Sequence, residues 1–117
     1  MPNFDSPVFT RCHQLLTWLI PLTLKFPRQQ RFVLAQAVQR NALDLQERLV
    51  EAAHATPQSL PGALSLADIE LDKLRRDIRL CAELNLITTG QYEHAATLLA
   101  EMGRLIGGWR RGAGNRA

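Results

Sequence analysis

Arginine is the residue type in this chain that could bind the widest range of ligands. Of the 14 basic residues only Lys25 and Lys73 are lysines, and the net charge is +3 with a pI near 9.4. A planar guanidinium binds phosphates and carboxylates bidentately and stacks on bases. The composition therefore favours a nucleic acid or an acidic partner, although a GC-rich genome would also favour arginine codons.

Three arginines, Arg75, Arg76 and Arg79, fall within about 100° of one another on a predicted helix. They would form a ridge that contacts phosphates. The alternative is a solvated face, in which Asp72 pairs with Arg75 or Arg76 for only a few tenths of a kcal/mol. Another group of arginines follows Trp109. Cations at this position also interact favourably with the dipole at the C-terminal end of the helix. The candidate nucleic-acid-binding residues are Arg75, Arg76, Arg79, Arg104, Arg110, Arg111 and Arg116.

The residues capable of acid–base or metal chemistry do not form a recognisable site. His13, His54 and His94 fall on three different predicted helices, outside the apolar stripes, and no catalytic triad order, HExxH pair or glycine-rich phosphate loop occurs. Cys12 and Cys81 are far apart within apolar patterns and are expected to be small buried residues. We expect no enzyme, no cofactor and no metal. A small-ligand or metal-dependent bundle enzyme is the least favoured alternative.

Proline and glycine divide the chain into four segments of helical periodicity. The predicted helices span about 6–25, 28–55, 65–86 and 89–111, followed by a flexible basic tail over 112–117, all within one domain, 1–117. Short connections make neighbouring helices antiparallel, so we predict an all-α, up-down-up-down four-helix bundle. No apolar run is long enough for a membrane span and no secretory leader is evident, so we expect a soluble, cytoplasmic protein.

Two of the predicted helices carry more apolar or small residues than a single core-facing stripe requires. The third has a second apolar face roughly 100° from its main stripe, which indicates either a contact between protomers or a wide core-facing side. The fourth has a row of small residues, which indicates close approach of another backbone from the same chain or a neighbour. The candidate oligomer or partner interface comprises Leu66, Ile69, Leu80, Leu84, Ala96, Gly103 and Gly107.

Four stretches of the chain resemble one protein family. They are FPRQQRFVL at 26–34, DIELDKLRRDIRL at 68–80, QYEHAA at 91–96 and EMGRLIGGW at 101–109, the last being the most specific. The first resembles the opening of the second helix in a four-helix-bundle superfamily that includes the intervening-sequence proteins of ribosomal RNA genes. The other three resemble the accessory variability determinant proteins of diversity-generating retroelements. The resemblance covers about residues 10–111.

This resemblance implies a specific role. Such proteins are homo-oligomers, typically pentameric barrels with a basic surface, which bind the element's reverse transcriptase and its template RNA or RNA/cDNA. The complex makes mutagenised cDNA, and the accessory subunit is not catalytic. The runner-up is a generic interaction protein of the intervening-sequence type, with no reverse transcriptase partner.

Overall fold

The protein consists of four long helices. The computed structural model describes residues 6–116, and for residues 30–32 and 114–116 it describes the main chain alone. The helices are α1 (Pro7–Thr23), α2 (Gln36–His54), α3 (Leu60–Glu83) and α4 (Thr89–Arg116), and α2 is preceded by the helical turn Arg28–Gln30 and a π-helical turn, Arg31–Ala35. No strand occurs within residues 6–116, so the predicted all-α class is confirmed.

Helix α1 begins at a proline and contains a second proline in its last turn. Ser6 lies at its N-cap and Pro7 at its first position, where the missing N–H would have had no helical partner. Pro21 removes a backbone donor near the other end, and the helix stops at Thr23 rather than at the predicted residue 25. The buried Thr23 hydroxyl accepts a hydrogen bond from Gln39 Nε2 at 2.8 Å, which ties the end of α1 to α2.

The segment predicted as one helix over 28–55 contains a π-helical turn, Arg31–Ala35, before α2. A π turn holds one extra residue in the helical ladder, which apolar spacing alone does not predict. Apolar residues recur along this segment at the spacing that predicts one buried helix face, and every member of that stripe is buried: Leu34, Ala35, Val38, Ala42, Leu45, Leu49 and Ala52.

Helix α3 begins at Leu60, five residues before the predicted start. Pro61 occupies the first turn, where proline is tolerated, so it opens the helix instead of belonging to a loop. Leu60 and Leu64 are both buried and form a small cluster with Ala52 and Ala113. This cluster closes one end of the bundle.

The connection from α3 to α4 is built by standard capping contacts. Asn85 adopts a left-handed φ of 60°, and the Leu86 N–H donates to the Cys81 carbonyl at 2.9 Å. This arrangement terminates a helix in the manner of a Schellman motif. Thr88 and Gln91 then exchange side-chain-to-backbone hydrogen bonds of 2.8 and 3.1 Å, a capping box that starts α4.

Helix α4 continues past the predicted end at residue 111. The expected flexible tail is instead helical through Arg116, and Ala117 lies outside the described residues. The reason is packing: Ala113 is buried against Leu60 and Leu64. That contact outweighs the low helix propensity of the surrounding glycines.

The four helices run antiparallel around one core. Arg11 near the start of α1 contacts Glu101 at 2.6 Å, and Trp18, further along α1, contacts His94, earlier on α4. Each helix packs against its neighbours in the chain, and α1 also packs against α4. The bundle measures 47 × 24 × 22 Å. Within residues 6–116, no helix combines the length and apolarity needed to cross a bilayer.

Candidate nucleic-acid interface

Two of the three ridge arginines on α3 pair along their own helix. Arg76 Nε lies 3.1 Å from Asp72 Oδ2, and Arg79 Nε lies 3.0 Å from Glu83 Oε1. The Arg76 and Arg79 side chains are 79% and 74% exposed, so each pair stabilises the helix by about 0.3–0.5 kcal/mol at most. Both guanidinium groups can therefore exchange a carboxylate for a phosphate at little cost.

The third arginine of the ridge, Arg75, is held differently. Its Nη2 donates to the carbonyl oxygen of Leu99 on α4 at 3.2 Å. The guanidinium lies over Gly103, where a Cβ atom would collide with Nη2. Gly103 thus makes room for a side chain of the same chain, whereas we had expected the small residue to admit a backbone.

The arginines of α4 divide into one paired residue and two without ion pairs. Arg110 bridges to α3, with nitrogen atoms 3.1 Å from Asp68 Oδ2 and 3.2 Å from Ser65 Oγ. Arg104 and Arg111 are exposed and make no ion pair within the described part of the chain. The side chain of Arg116 lies outside the described residues.

Gly107 lies beside the Arg111 side chain. A Cβ atom on Gly107 would lie 3.4 Å from Nη1 of Arg111, and among the described residues no other helix comes within 4 Å of it. Within the described chain, then, neither Gly103 nor Gly107 meets another backbone.

A groove of about 850 Å³ runs between α3 and α4. Its walls carry Arg75, Arg76 and Arg79 together with the acids that pair with the last two. The apolar part of its lining comes from both helices: Ile78, Leu80, Tyr92, Ala96, Leu99 and Ala100. The structure thus brings together three predicted phosphate ligands and two predicted interface residues, Leu80 and Ala96.

Tyr92 is the lining residue that the sequence analysis did not assign to a site. It lies one turn before Ala96 on α4 and is half-buried. Spacing along the helix could have found it, because residues at i and i+4 share one face. The groove itself could not be predicted, because it lies between two helices and its shape depends on how they pack.

The second apolar face of α3 is exposed in this chain. Leu66, Ile69, Leu80 and Leu84 retain between 41% and 51% of their accessible surface. Lys73 and Asp77 interrupt the face, and both are engaged: Lys73 with Glu70 at 3.4 Å and Asp77 with Asn41 of α2 at 2.5 Å. The alternative of a wide core-facing side is wrong for these four residues.

Glu70 is a buried carboxylate that the sequence analysis did not single out. Its side chain is only 8% exposed, and Oε2 has no hydrogen-bond partner. Buried polar atoms normally have a partner, so this oxygen costs stability. It lies on α3 between the core stripe and the exposed apolar face.

The cysteines are buried, and one of the histidines packs against a tryptophan. His94 meets Trp18 edge-to-face with ring centroids 4.7 Å apart, and no group of three or more potential metal ligands occurs among the residues that the structure describes. Burial raises the pKa of Cys12 to about 12. Burial, followed by the negative charge of Asp77, raises the pKa of Cys81 to about 11. Both thiols are therefore neutral and weakly nucleophilic at neutral pH.

Comparison with known families identifies the chain. The sequence model of the bAvd-like family matches residues 8–113, almost the whole bundle. The chain belongs to the bAvd-like family. The predicted resemblance is thereby confirmed, and a bAvd-like protein is an accessory, non-catalytic protein of the retroelement type. Among curated proteins, none matches this bAvd-like chain.

Proposed function

We propose that this bAvd-like protein is the accessory subunit of a diversity-generating retroelement, which binds the reverse transcriptase and template RNA to support mutagenic cDNA synthesis. The observation that carries this proposal is the family match over residues 8–113. The polymerase chemistry belongs to the reverse transcriptase. The accessory subunit brings enzyme and RNA together.

The RNA-binding part of the proposal is supported by charge. Arg76, Arg79 and Arg104 project exposed guanidinium groups from α3 and α4, and the chain is basic overall. Cations that displace counterions from the phosphate backbone supply most sequence-independent affinity for nucleic acids. Binding should accordingly weaken as the salt concentration rises.

Self-association is supported by the second apolar face of α3. Four large apolar residues exposed along one face of a helix are unusual for a monomer and typical of an interface. We propose that this face packs against another copy in a homo-oligomer. The family resemblance leads us to expect five subunits.

The experiment is co-expression of the tagged protein with the reverse transcriptase of its element and the template RNA, followed by affinity recovery with and without ribonuclease. We expect both enzyme and RNA to be recovered. Loss of the enzyme after ribonuclease treatment would mean that RNA bridges the two proteins. Recovery of neither would contradict the proposal and favour an interaction protein of the intervening-sequence type.

A charge-matched pair of variants sharpens this experiment. Replacing Arg76, Arg79 and Arg104 with alanine removes three cations from the α3–α4 side. Replacing Lys25, Arg40 and Arg48 removes three from elsewhere. We expect only the first variant to lose RNA, because it alone removes cations from the proposed RNA-binding surface. A nonspecific effect of net charge would lower RNA recovery equally in both variants.

A further inference from the structure

The groove between α3 and α4 combines guanidinium groups with an apolar lining. One wall carries Arg75, Arg76 and Arg79, and the apolar lining includes Tyr92 and Leu99. A nucleotide has the same two parts, an anionic phosphate and a flat aromatic base. The groove is open to solvent and has a volume of about 850 Å³.

Arg75 is the positioned cation of this groove. A guanidinium has five N–H donors, and the Leu99 carbonyl accepts from Nη2 alone. That acceptor is an uncharged carbonyl, and Arg75 makes no ion pair with any described residue. Gly103 provides the space in which the guanidinium lies. The donors that remain are therefore held in place before any ligand arrives.

Arg76 and Arg79 supply cations that can change partners. Their carboxylate partners, Asp72 and Glu83, are themselves more than half exposed. Exposed ion pairs of this kind are weak, so a phosphate can compete with them. The groove thus offers one fixed guanidinium and two adjustable ones.

The apolar lining contains one aromatic residue and two small ones. Tyr92, Ala96 and Ala100 all line the groove from α4. Bases stack on aromatic side chains without regard to sequence, because every base has a π-face. In a duplex the bases are already stacked and paired, and they cannot enter such a groove.

We infer that the α3–α4 groove binds an unpaired nucleotide of RNA, with its base against Tyr92 and its phosphate on Arg75 and the exposed arginines. This inference rests on the proposed function, since it names the form of RNA that the accessory subunit would hold. It assigns Gly103 the role of a positioning residue that acts through Arg75.

The test measures affinity by fluorescence anisotropy, using the full chain and a short labelled oligouridylate, alone or annealed to oligoadenylate. We expect the single strand to bind more tightly than the duplex. Tyr92→Leu should weaken single-strand binding by at least about fivefold, whereas Tyr92→Phe should stay within about twofold because it keeps the aromatic ring. Circular dichroism melting checks that each variant folds.

Two glycine variants on the same helix test the positioning role. Gly103→Ala places a Cβ against Arg75, and we expect single-strand affinity to fall about three- to tenfold. Gly112→Ala is the matched control, because nothing lies within 4 Å of the added Cβ. Equal affinities of these two variants would overturn the role of Gly103.

The outcomes separate this inference from the proposed function. If single strand and duplex bind equally, or if Tyr92→Leu has no effect, the groove inference fails while the accessory role stands. If the Tyr92 variants lose the reverse transcriptase but keep RNA, the groove binds a protein and the inference is again wrong. If the wild-type chain binds no RNA and recovers no reverse transcriptase, the proposed function fails as well.

Discussion

Two faces of α3 differ in how their side chains are satisfied. The side that lines the groove with α4 carries Arg75, Arg76 and Arg79, and each of these arginines has a partner within the chain. The second apolar face of α3 exposes side chains such as Ile69 and Leu84, which the described chain does not cover. Polar groups find local partners cheaply, whereas apolar surface is removed from water only by another surface. The arginines therefore have partners within one chain, whereas the apolar side chains are not covered by it.

The largest effect should come from placing a charge on the apolar face. We expect Ile69→Glu to abolish self-association, because a buried unpaired carboxylate at a subunit contact is strongly unfavourable. Light scattering after size-exclusion chromatography measures the mass. Arg76→Glu changes charge on the other face and should leave the mass unchanged. A wild-type protein that is monomeric at all concentrations would remove the basis of this comparison.

The next largest effect separates the core from the exposed face on one helix. Leu71→Ala should lower the free energy of unfolding by about 2–5 kcal/mol, because Leu71 is fully buried. Ile69→Ala should cost less than about 1 kcal/mol at low protein concentration, where the oligomer dissociates. Chemical denaturation at two protein concentrations makes the measurement. Equal costs in dilute solution would show that Ile69 is covered within one chain.

A smaller effect tests the hydrogen bond between Arg75 and the Leu99 carbonyl. Gly112→Ala should raise the free energy of unfolding by up to about 1 kcal/mol, through helix propensity alone. In Gly103→Ala the same gain is offset by displacement of Arg75 from the Leu99 carbonyl, worth about 1 kcal/mol. Thermal melting of the two variants should therefore differ. Identical melting temperatures would mean that the Arg75 contact contributes nothing to stability.

The smallest effect concerns the exposed ion pairs. Arg76→Ala and Arg79→Ala should each change the free energy of unfolding by no more than about 0.5 kcal/mol. Each should nevertheless reduce the salt dependence of RNA binding by about one unit of slope, as removal of one phosphate contact does. A large loss of stability with an unchanged salt slope would place these residues in the fold and not in the RNA site.

The sequence predicted what local periodicity and capping determine. The apolar stripe of α2 and the start of α4 at about residue 89 were predicted from apolar spacing and from the breaks between segments, and both are found. The helical course of residues 60–64 and 112–116 was missed. Proline and glycine give both segments a low local helix propensity. Burial of Leu60, Leu64 and Ala113 against one another outweighs that low propensity.

The candidate site was predicted only in part, for a related reason. The arginine ridge follows from positions along one helix, so it could be read from the sequence. The contact between Arg75 and Leu99 joins residues that are far apart in the chain, and the shape of the groove depends on how two helices pack. The role of Gly103 is visible only once Arg75 lies over it.

The buried Glu70 has a consequence for engineering. Its Oε1 pairs with Lys73, whereas Oε2 has no hydrogen-bond partner among the described residues, and that unpaired oxygen costs stability. Natural proteins rarely sit at their stability optimum, and such a position is where a designer gains most easily. An apolar residue of similar volume, as in Glu70→Met, would remove the unpaired oxygen and give a more heat-resistant form of the same bundle.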